Sequence, residues 1–339
     1  MSRYLVTGAT GYLGAHLVAG LAAAGHDVVA LARRAAPSAS DARVTWRRGD
    51  VLDAASLRDA ATGCDGLFHC AGRVSRKPED AEALQRVHVE GNKVTLDACK
   101  AAGVKRAVVA STSGTIAVSR DPGAVLDEHA PEPFDLVAGW PYYRSKLYAE
   151  RAALERSAPD FEVVVVNPSL LLGPVHDAAV VAKGAASTDD VVDFLERRVP
   201  FVPAGGISFV DARDAADGMQ RAMERGRAGE RYLLTGANMT LAAFFGRLAR
   251  ISGVPAPRIK LTRSVALASA GAELMARVAK RFDVEPPVDR ISAEMAQHFW
   301  YADASKAKRE LGFAPRDPGE TLADTIADLE RRGVVWPRA

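Results

Sequence analysis

The chain has 339 residues, 44 of them basic and 42 acidic, for a net charge of +2. That near-balance excludes the strongly basic surface expected of a protein that binds nucleic acid or an anionic membrane. A hydrophobic fraction of 48% with 25% charged residues suits a globular protein with a real core, built as one large or two modest units.

The first expected strand is Tyr4–Thr7 and the first helix Tyr12–Ala24. Between them runs Thr7-Gly8-Ala9-Thr10-Gly11-Tyr12-Leu13-Gly14. Gly8 permits a tight turn, Gly11 lets backbone approach a pyrophosphate, and Gly14 allows the helix to pack closely on the sheet. The helix N-terminus then offers free N–H groups and positive partial charge to phosphates. A glycine-rich turn has the same letters. The strand before and the helix after favour the dinucleotide reading. The segment Ser2–Thr7 leads straight into this motif, with no apolar stretch of the leader type, so a cytoplasmic location is expected. No apolar run approaches the ~20 residues that span a bilayer.

The second strand, Asp27–Leu31, runs into Ala32-Arg33-Arg34. An NAD enzyme usually places a carboxylate here to grip the ribose 2′-hydroxyl. None is present, and the Arg33 guanidinium suits a 2′-phosphate instead, so NADP(H) is preferred and NAD(H) remains open. After the third strand, Val44–Arg47, come Gly49-Asp50-Val51. Asp50 suits the adenine amino group and Val51 the ring. Equally, Asp50 suits a helix cap before Leu52–Ala61.

Further strands are expected at Gly66–Cys70, Arg106–Ala110 and Glu162–Asn167, with helices at Ala54–Ala61, Glu79–Ala102 and Pro141–Ser157. The rhythm predicts an α/β fold with a doubly wound, parallel, Rossmann-type sheet. Residues 1–167 form its dinucleotide-binding domain, with 206–235 returning to it through a strand at Tyr232–Leu234. A smaller, mainly helical substrate lobe is expected from 168–205, read as irregular, and 236–300; 301–339 close the chain. Ser264–Phe282, apolar but carrying Glu273, Arg277, Lys280 and Arg281, suits a core-facing helix of that lobe better than a membrane-surface helix. Cys64, Cys70 and Cys99 show no metal spacing, and no metal is expected.

Chemistry is concentrated in two places. Val108-Val109-Ala110 ends in Ser111-Thr112-Ser113-Gly114-Thr115, hydroxyls where doubly wound sheets bind ligands. Tyr142-Tyr143-Arg144-Ser145-Lys146 contains a Tyr-x-x-x-Lys. Residues four apart share a helix face, so the Lys146 ammonium is expected beside the Tyr142 phenol, favouring its ionised form. Alone, either feature has an ordinary explanation, a turn cap or a surface pair.

Together these residues resemble the extended branch of the short-chain dehydrogenase/reductase superfamily, the NAD-dependent epimerase/dehydratase superfamily, over nearly the whole chain. Within it the sequence is most similar to the dihydroflavonol-reductase-like and 3β-hydroxysteroid-dehydrogenase-like group. Thr7–Gly14 resembles the branch's TGxxGxxG, and Asp50-Val51 its adenine contact. Phe68-His69-Cys70-Ala71-Gly72 looks like the motif after the fourth strand, and Asn167-Pro168-Ser169-Leu170 the segment holding the nicotinamide amide. The resemblance implies a catalytic Ser113, Tyr142 and Lys146. It implies cofactor contacts from Gly8, Thr10, Gly11, Tyr12, Leu13, Gly14, Arg33, Asp50, Val51, Cys70, Ala71, Gly72, Ser111, Pro168, Ser169 and Leu170, as well as from Tyr142 and Lys146. The implied reaction is hydride transfer between NADP(H) and a ketone, aldehyde or alcohol. The apolar lean of the second lobe, with Val74 and Trp140 near the site, suggests a hydrophobic substrate.

One departure stands out: where relatives often read Asn-Val-x-Gly-Thr, this chain has His88-Val89-Glu90-Gly91-Asn92. A role tied to that asparagine is therefore not carried over. A sugar-nucleotide epimerase uses the same triad but favours an acidic residue where Ala32 stands. A non-catalytic NADP sensor usually lacks the Tyr or Lys that are present here. Val87, Val94 and Leu96 suit a homodimer contact through the long helix, and suit core packing equally well.

Overall fold

The structure, a computed structural model, describes residues 1–33, 41–176, 186–259 and 290–336. The expected helix at Ser264–Phe282 and the residue Arg34 lie outside them. In chain order the first half runs β1 (Arg3–Thr7), α1 (Tyr12–Ala23), β2 (Asp27–Ala32), β3 (Val44–Arg48), α2 (Ala54–Ala61) and β4 (Gly66–His69). Next come α3 (Ala81–Gln85), α4 (Gly91–Ala101), β5 (Arg106–Ala110), α5 (Phe134–Val137), α6 (Pro141–Leu154) and β6 (Glu162–Pro168). The second half holds β7 (Leu170–Leu172), α7 (Asp189–Leu195), β8 (Gly206–Asp211), α8 (Ala212–Arg225), β9 (Arg231–Leu234), β10 (Ala237–Thr240) and α9 (Leu241–Ser252). Three later helices are Arg290–Met295, Ser305–Leu311 and Pro318–Arg331.

Seven strands form one parallel sheet in the order β3-β2-β1-β4-β5-β6-β9. Alternate residues of each strand feed opposite faces. Val6, Val28, Phe68, Val108 and Val164 pack under α1 and α8. Leu5, Val29, Leu67, Val109 and Val165 pack under α2, α4 and α6. With both faces covered, a strand reads as a continuous apolar run, as Val163–Val166 do. Leu96 and Val94 belong to the second of these cores, so both contribute to internal packing.

Two expectations are corrected in detail. Residues 168–205 are not irregular throughout: β7 and α7 lie there, and β7 joins β8 and β10 in a small mixed sheet. Behind that sheet Phe194, Phe209, Phe244 and Phe245 build a separate core. The expected helix Glu79–Ala102 is divided by a π-helical turn at Arg86–Glu90, which adds a residue to the coil and carries His88 to the buried side.

Strand order reverses between β1 and β4, and the loops after these two strands touch. Gly8 has φ +69°, and a Cβ there would lie 2.6 Å from the backbone of Cys70 and Ala71. A Cβ on Gly14, in the first turn of α1, would lie 2.1 Å from the Gly8 carbonyl oxygen. Backbone on both sides leaves nothing flexible to move aside. Gly14→Ala is therefore expected to destabilise the fold by about 1–3 kcal/mol, as overpacking does. Urea unfolding measures it, and an unchanged midpoint would mean the helix is not held this close.

Candidate active site

At the reversal point, α1 begins on Gly11, which supplies no side-chain cap, and its first turn holds no acidic residue. The open N–H groups and the Gly8–Gly11–Gly14 cradle fit a pyrophosphate. Thr10 and Gly11 are exposed at its rim, whereas Leu13 packs into the core. The Tyr12 hydroxyl donates to the Gly173 carbonyl at 2.5 Å, tying the loop to the segment after β7. Arg33 is exposed immediately after β2.

Asp50 is half-buried, and one carboxylate oxygen accepts from Leu52 N–H at 3.0 Å. The cap of α2 is Asp53, which accepts from Ala55 and Ser56 N–H. Val51 packs against Gly91, where a Cβ would meet it at 2.9 Å. Cys70 and Ala71 line the second loop, and burial pushes the Cys70 thiol up to about 12. Gly72 lies between His88 and Lys146: a Cβ there would be 3.3 Å from His88 Nε2 and 3.7 Å from Lys146 Nζ. At the end of β6, Pro168 and the following Ser169 are buried, and Ser169 N–H donates to the Leu234 carbonyl of β9. Leu170 opens β7 and packs on the second lobe's core.

Helix α6 starts with Pro141 at its first position, where a missing N–H costs nothing. Its register places Tyr142, Lys146 and Glu150 on successive turns of one face. Lys146 Nζ donates to the Ala110 carbonyl at the end of β5, at 2.9 Å. Glu150 is 2% exposed. Its Oε2 accepts from Ser111 Oγ at 2.5 Å, Thr115 Oγ1 at 2.7 Å and Asn167 Nδ2 at 2.7 Å. Its Oε1 meets Arg231 of β9 at 3.2 Å.

This hub sorts the hydroxyls. Ser111, expected to face the cofactor, gives its hydroxyl proton to Glu150, because a buried carboxylate needs donors. Thr115 is committed likewise, and Thr112 caps Gly114 N–H. Ser113 is left with no side-chain hydrogen bond among the described residues, at 5% exposure. The Tyr142 phenol also has none there. Sequence reasoning missed Glu150; its four-residue spacing from Lys146 was the available signal.

The expected lowering of Tyr142 by Lys146 is not seen. Burial, with Tyr143 second, holds the phenol above its ordinary value. Burial brings Lys146 down to about 8, against the opposing pull of Cys70 and Glu150. Trp140, expected near the substrate, is 1% exposed and lies behind the site. Tyr143 and Trp300 are the half-buried aromatics in front of it, tilted at 4.9 Å, with both rings against Gly114.

His88, on the π-helical turn, is buried beside the second loop. Its Nε2 accepts from Arg73 N–H at 3.0 Å, which puts the proton on Nδ1. Nδ1–H then donates to Ser145 Oγ at 2.8 Å, and Ser145 donates to the Tyr142 carbonyl at 2.7 Å. On the other side Thr7 Oγ1 bonds His69 Nδ1 at 2.7 Å. Burial first, then Lys146, lowers His69 to about 3 and His88 to about 2. Among the described residues there is no cluster suited to a metal ion. Nor is there a helix long and apolar enough to cross a membrane.

The profile of the family described as "NAD dependent epimerase/dehydratase" matches residues 4–234. The chain is 33% identical to the sterol demethylase protein B of Methylococcus capsulatus, over 98% of this chain and 99% of that one. It is 32% identical to the 4-hydroxy-2-methyl-3-oxo-4-farnesyl-3,4-dihydroquinoline-1-oxide ketoreductase of Stigmatella aurantiaca, over 93% and 92%. A solved nucleoside-diphosphate-sugar epimerase from Pseudomonas aeruginosa superposes with TM-score 0.75 at 28% identity, covering 98% of each chain.

The neutral histidines set a pH dependence. Unfolded, each takes a proton near pH 6.5; folded, not until about 3 and about 2. Below pH 6.5 the unfolded state binds more protons, so stability falls as pH is lowered. For His88 the loss between pH 6.5 and 5 is about 2 kcal/mol. His88→Asn should remove that share of the slope, measured by urea unfolding at pH 7 and 5. The same slope in both proteins would mean that His88 is not held neutral.

Proposed function

The chain belongs to the NAD-dependent epimerase/dehydratase family, and from that membership we propose that it reduces a ketone or aldehyde with NADP(H), or oxidises the matching alcohol. The observation that carries this is the uncommitted pair of hydroxyls. Ser113 and Tyr142 stand at the carboxyl end of β5 and on α6, beside Lys146, while their neighbours are consumed by Glu150.

The nicotinamide, when bound, supplies or accepts the hydride. Thr10, Gly11 and the first turn of α1 would hold the pyrophosphate, Asp50 and Val51 the adenine, and Lys146 the ribose hydroxyls. The second Asp50 oxygen remains for that contact. Ser113 Oγ donates to the substrate carbonyl and fixes it. Tyr142 is protonated at neutral pH, since burial raises it, and so serves as the proton donor in reduction. Lys146 offsets the charge left on the phenolate.

The half-buried Tyr143 and Trp300 favour a hydrophobic or aromatic carbonyl compound. The sterol and farnesyl-quinoline relatives agree with that preference. The likeness to a sugar-nucleotide epimerase supports a second reading, in which NAD is retained and recycled. Nicotinamide released by denaturing the purified protein would favour it. NADPH consumption with a panel of apolar ketones and aldehydes tests the first reading, with sugar nucleotides run alongside.

Three substitutions examine the parts. Tyr142→Phe should lower kcat by about two orders of magnitude, the scale of a general acid, with Tyr143→Phe far milder. A dead Tyr143→Phe beside an active Tyr142→Phe would reverse the assignment. For the cofactor, a charge-assisted bond from Arg33 to a 2′-phosphate is worth about 1.5–3 kcal/mol, roughly ten- to hundredfold in affinity. Arg33→Ala should weaken NADPH binding by up to that factor and leave NADH nearly unchanged, read by fluorescence quenching. Equal affinity of the native protein for both cofactors would end the NADP preference.

A further inference from the structure

Glu150 is a buried carboxylate with more partners than a structural ion pair needs. Four elements converge on it: Ser111 at the end of β5, Thr115 beyond Ser113, Asn167 at the end of β6 and Arg231 of β9. Ser111 and Thr115 flank Ser113 on either side. Holding both fixes the turn that aims the Ser113 hydroxyl. One turn back on α6, Lys146 grips the Ala110 carbonyl next to Ser111. The same helix therefore clamps β5 twice, through Lys146 and through Glu150.

The charges around this clamp are few. Facing Lys146 are Glu150 from its own helix, His69 and Cys70 from β4 and its loop, His88 from the π-helical turn, and Tyr142. Both histidines are neutral, and the Cys70 thiol and Tyr142 phenol stay protonated. Glu150 is the carboxylate that opposes the loss of the Lys146 proton. Arg231 faces Glu150 from β9 and shares its charge.

We propose that Glu150 is a positioning residue of the site: its carboxylate sets the Ser113 turn against α6, one helical turn from the Lys146 ammonium that grips the same strand. This rests on the reading of Ser113, Tyr142 and Lys146 as the reacting set.

The test uses the full chain labelled with [13Cε]lysine, the Lys146 resonance being assigned with Lys146→Arg. Glu150→Gln keeps the size and one acceptor but removes the charge. The Lys146 titration midpoint should fall by about one pH unit, as loss of a nearby opposite charge dictates. With a turned-over carbonyl substrate, kcat should fall roughly tenfold, KM should stay within about twofold, and the alkaline limb of kcat/KM should move acidward by about the same unit. A folded Glu150→Gln with an unmoved midpoint overturns the proposal, because lost packing alone does not shift a titration. Should Glu150→Gln fail to fold, Arg231→Gln decides. Freed of that cation, Glu150 should raise the Lys146 midpoint; no rise overturns the proposal. The titration needs no substrate, so absence of carbonyl turnover in the native protein counts against the reductase reading alone.

Discussion

Backbone has to approach backbone at the point where the sheet reverses its strand order. Gly8 and Gly14 leave no room for a side chain between the loop after β1, the loop after β4 and the first turn of α1. A groove follows directly from this contact. Its floor is main chain, its donors are free helix N–H groups, and its position is the carboxyl end of a parallel sheet. The rest of the site is arranged around that floor. Gly72 carries the second loop between His88 and Lys146, and β5 and β6 deliver the hydroxyl and amide groups beside it.

The helix α6 then imposes a second order on the same region. A four-residue repeat places Tyr142, Lys146 and Glu150 on one face, each reaching a different depth. Tyr142 is left with its phenol unpaired among the described residues, Lys146 reaches the β5 backbone, and Glu150 reaches the ends of β5, β6 and β9. Depth decides chemistry here. The deepest group meets four partners, whereas the phenol of the shallowest has none among the described residues. Burial first and Tyr143 second raise the phenol, so the resting proton is held by its surroundings and not by the field of Lys146.

Much of this was readable from the sequence, because local pattern determines it. The βα rhythm, the glycine loop and the Tyr-x-x-x-Lys spacing each lie within a few residues, and the parallel seven-stranded sheet follows from the rhythm. What escaped depends on partners far along the chain. Ser111 meets Glu150 across 39 residues, and Asn167 meets it across 17. The aromatic wall joins Tyr143 to Trp300, and Trp140 packs against His298 and Trp300, partners distant in sequence. The π-helical turn escaped for a different reason: an extra residue in a helix leaves no mark in composition, only in which side chain turns inward.

His88 shows how such a turn changes what a position can do. A side chain that relays protons needs a nitrogen free to accept and another free to release. Here Nε2 is occupied by Arg73 N–H, and Nδ1–H is given to Ser145, whose own proton goes to the Tyr142 carbonyl. Burial disfavours a charged His88, and protonating it would add a second cation near Lys146, which is why its proton affinity falls so far. A chain fixed in this way conducts nothing. It joins the loop after β4 to the backbone of Tyr142, so His88 braces the start of α6.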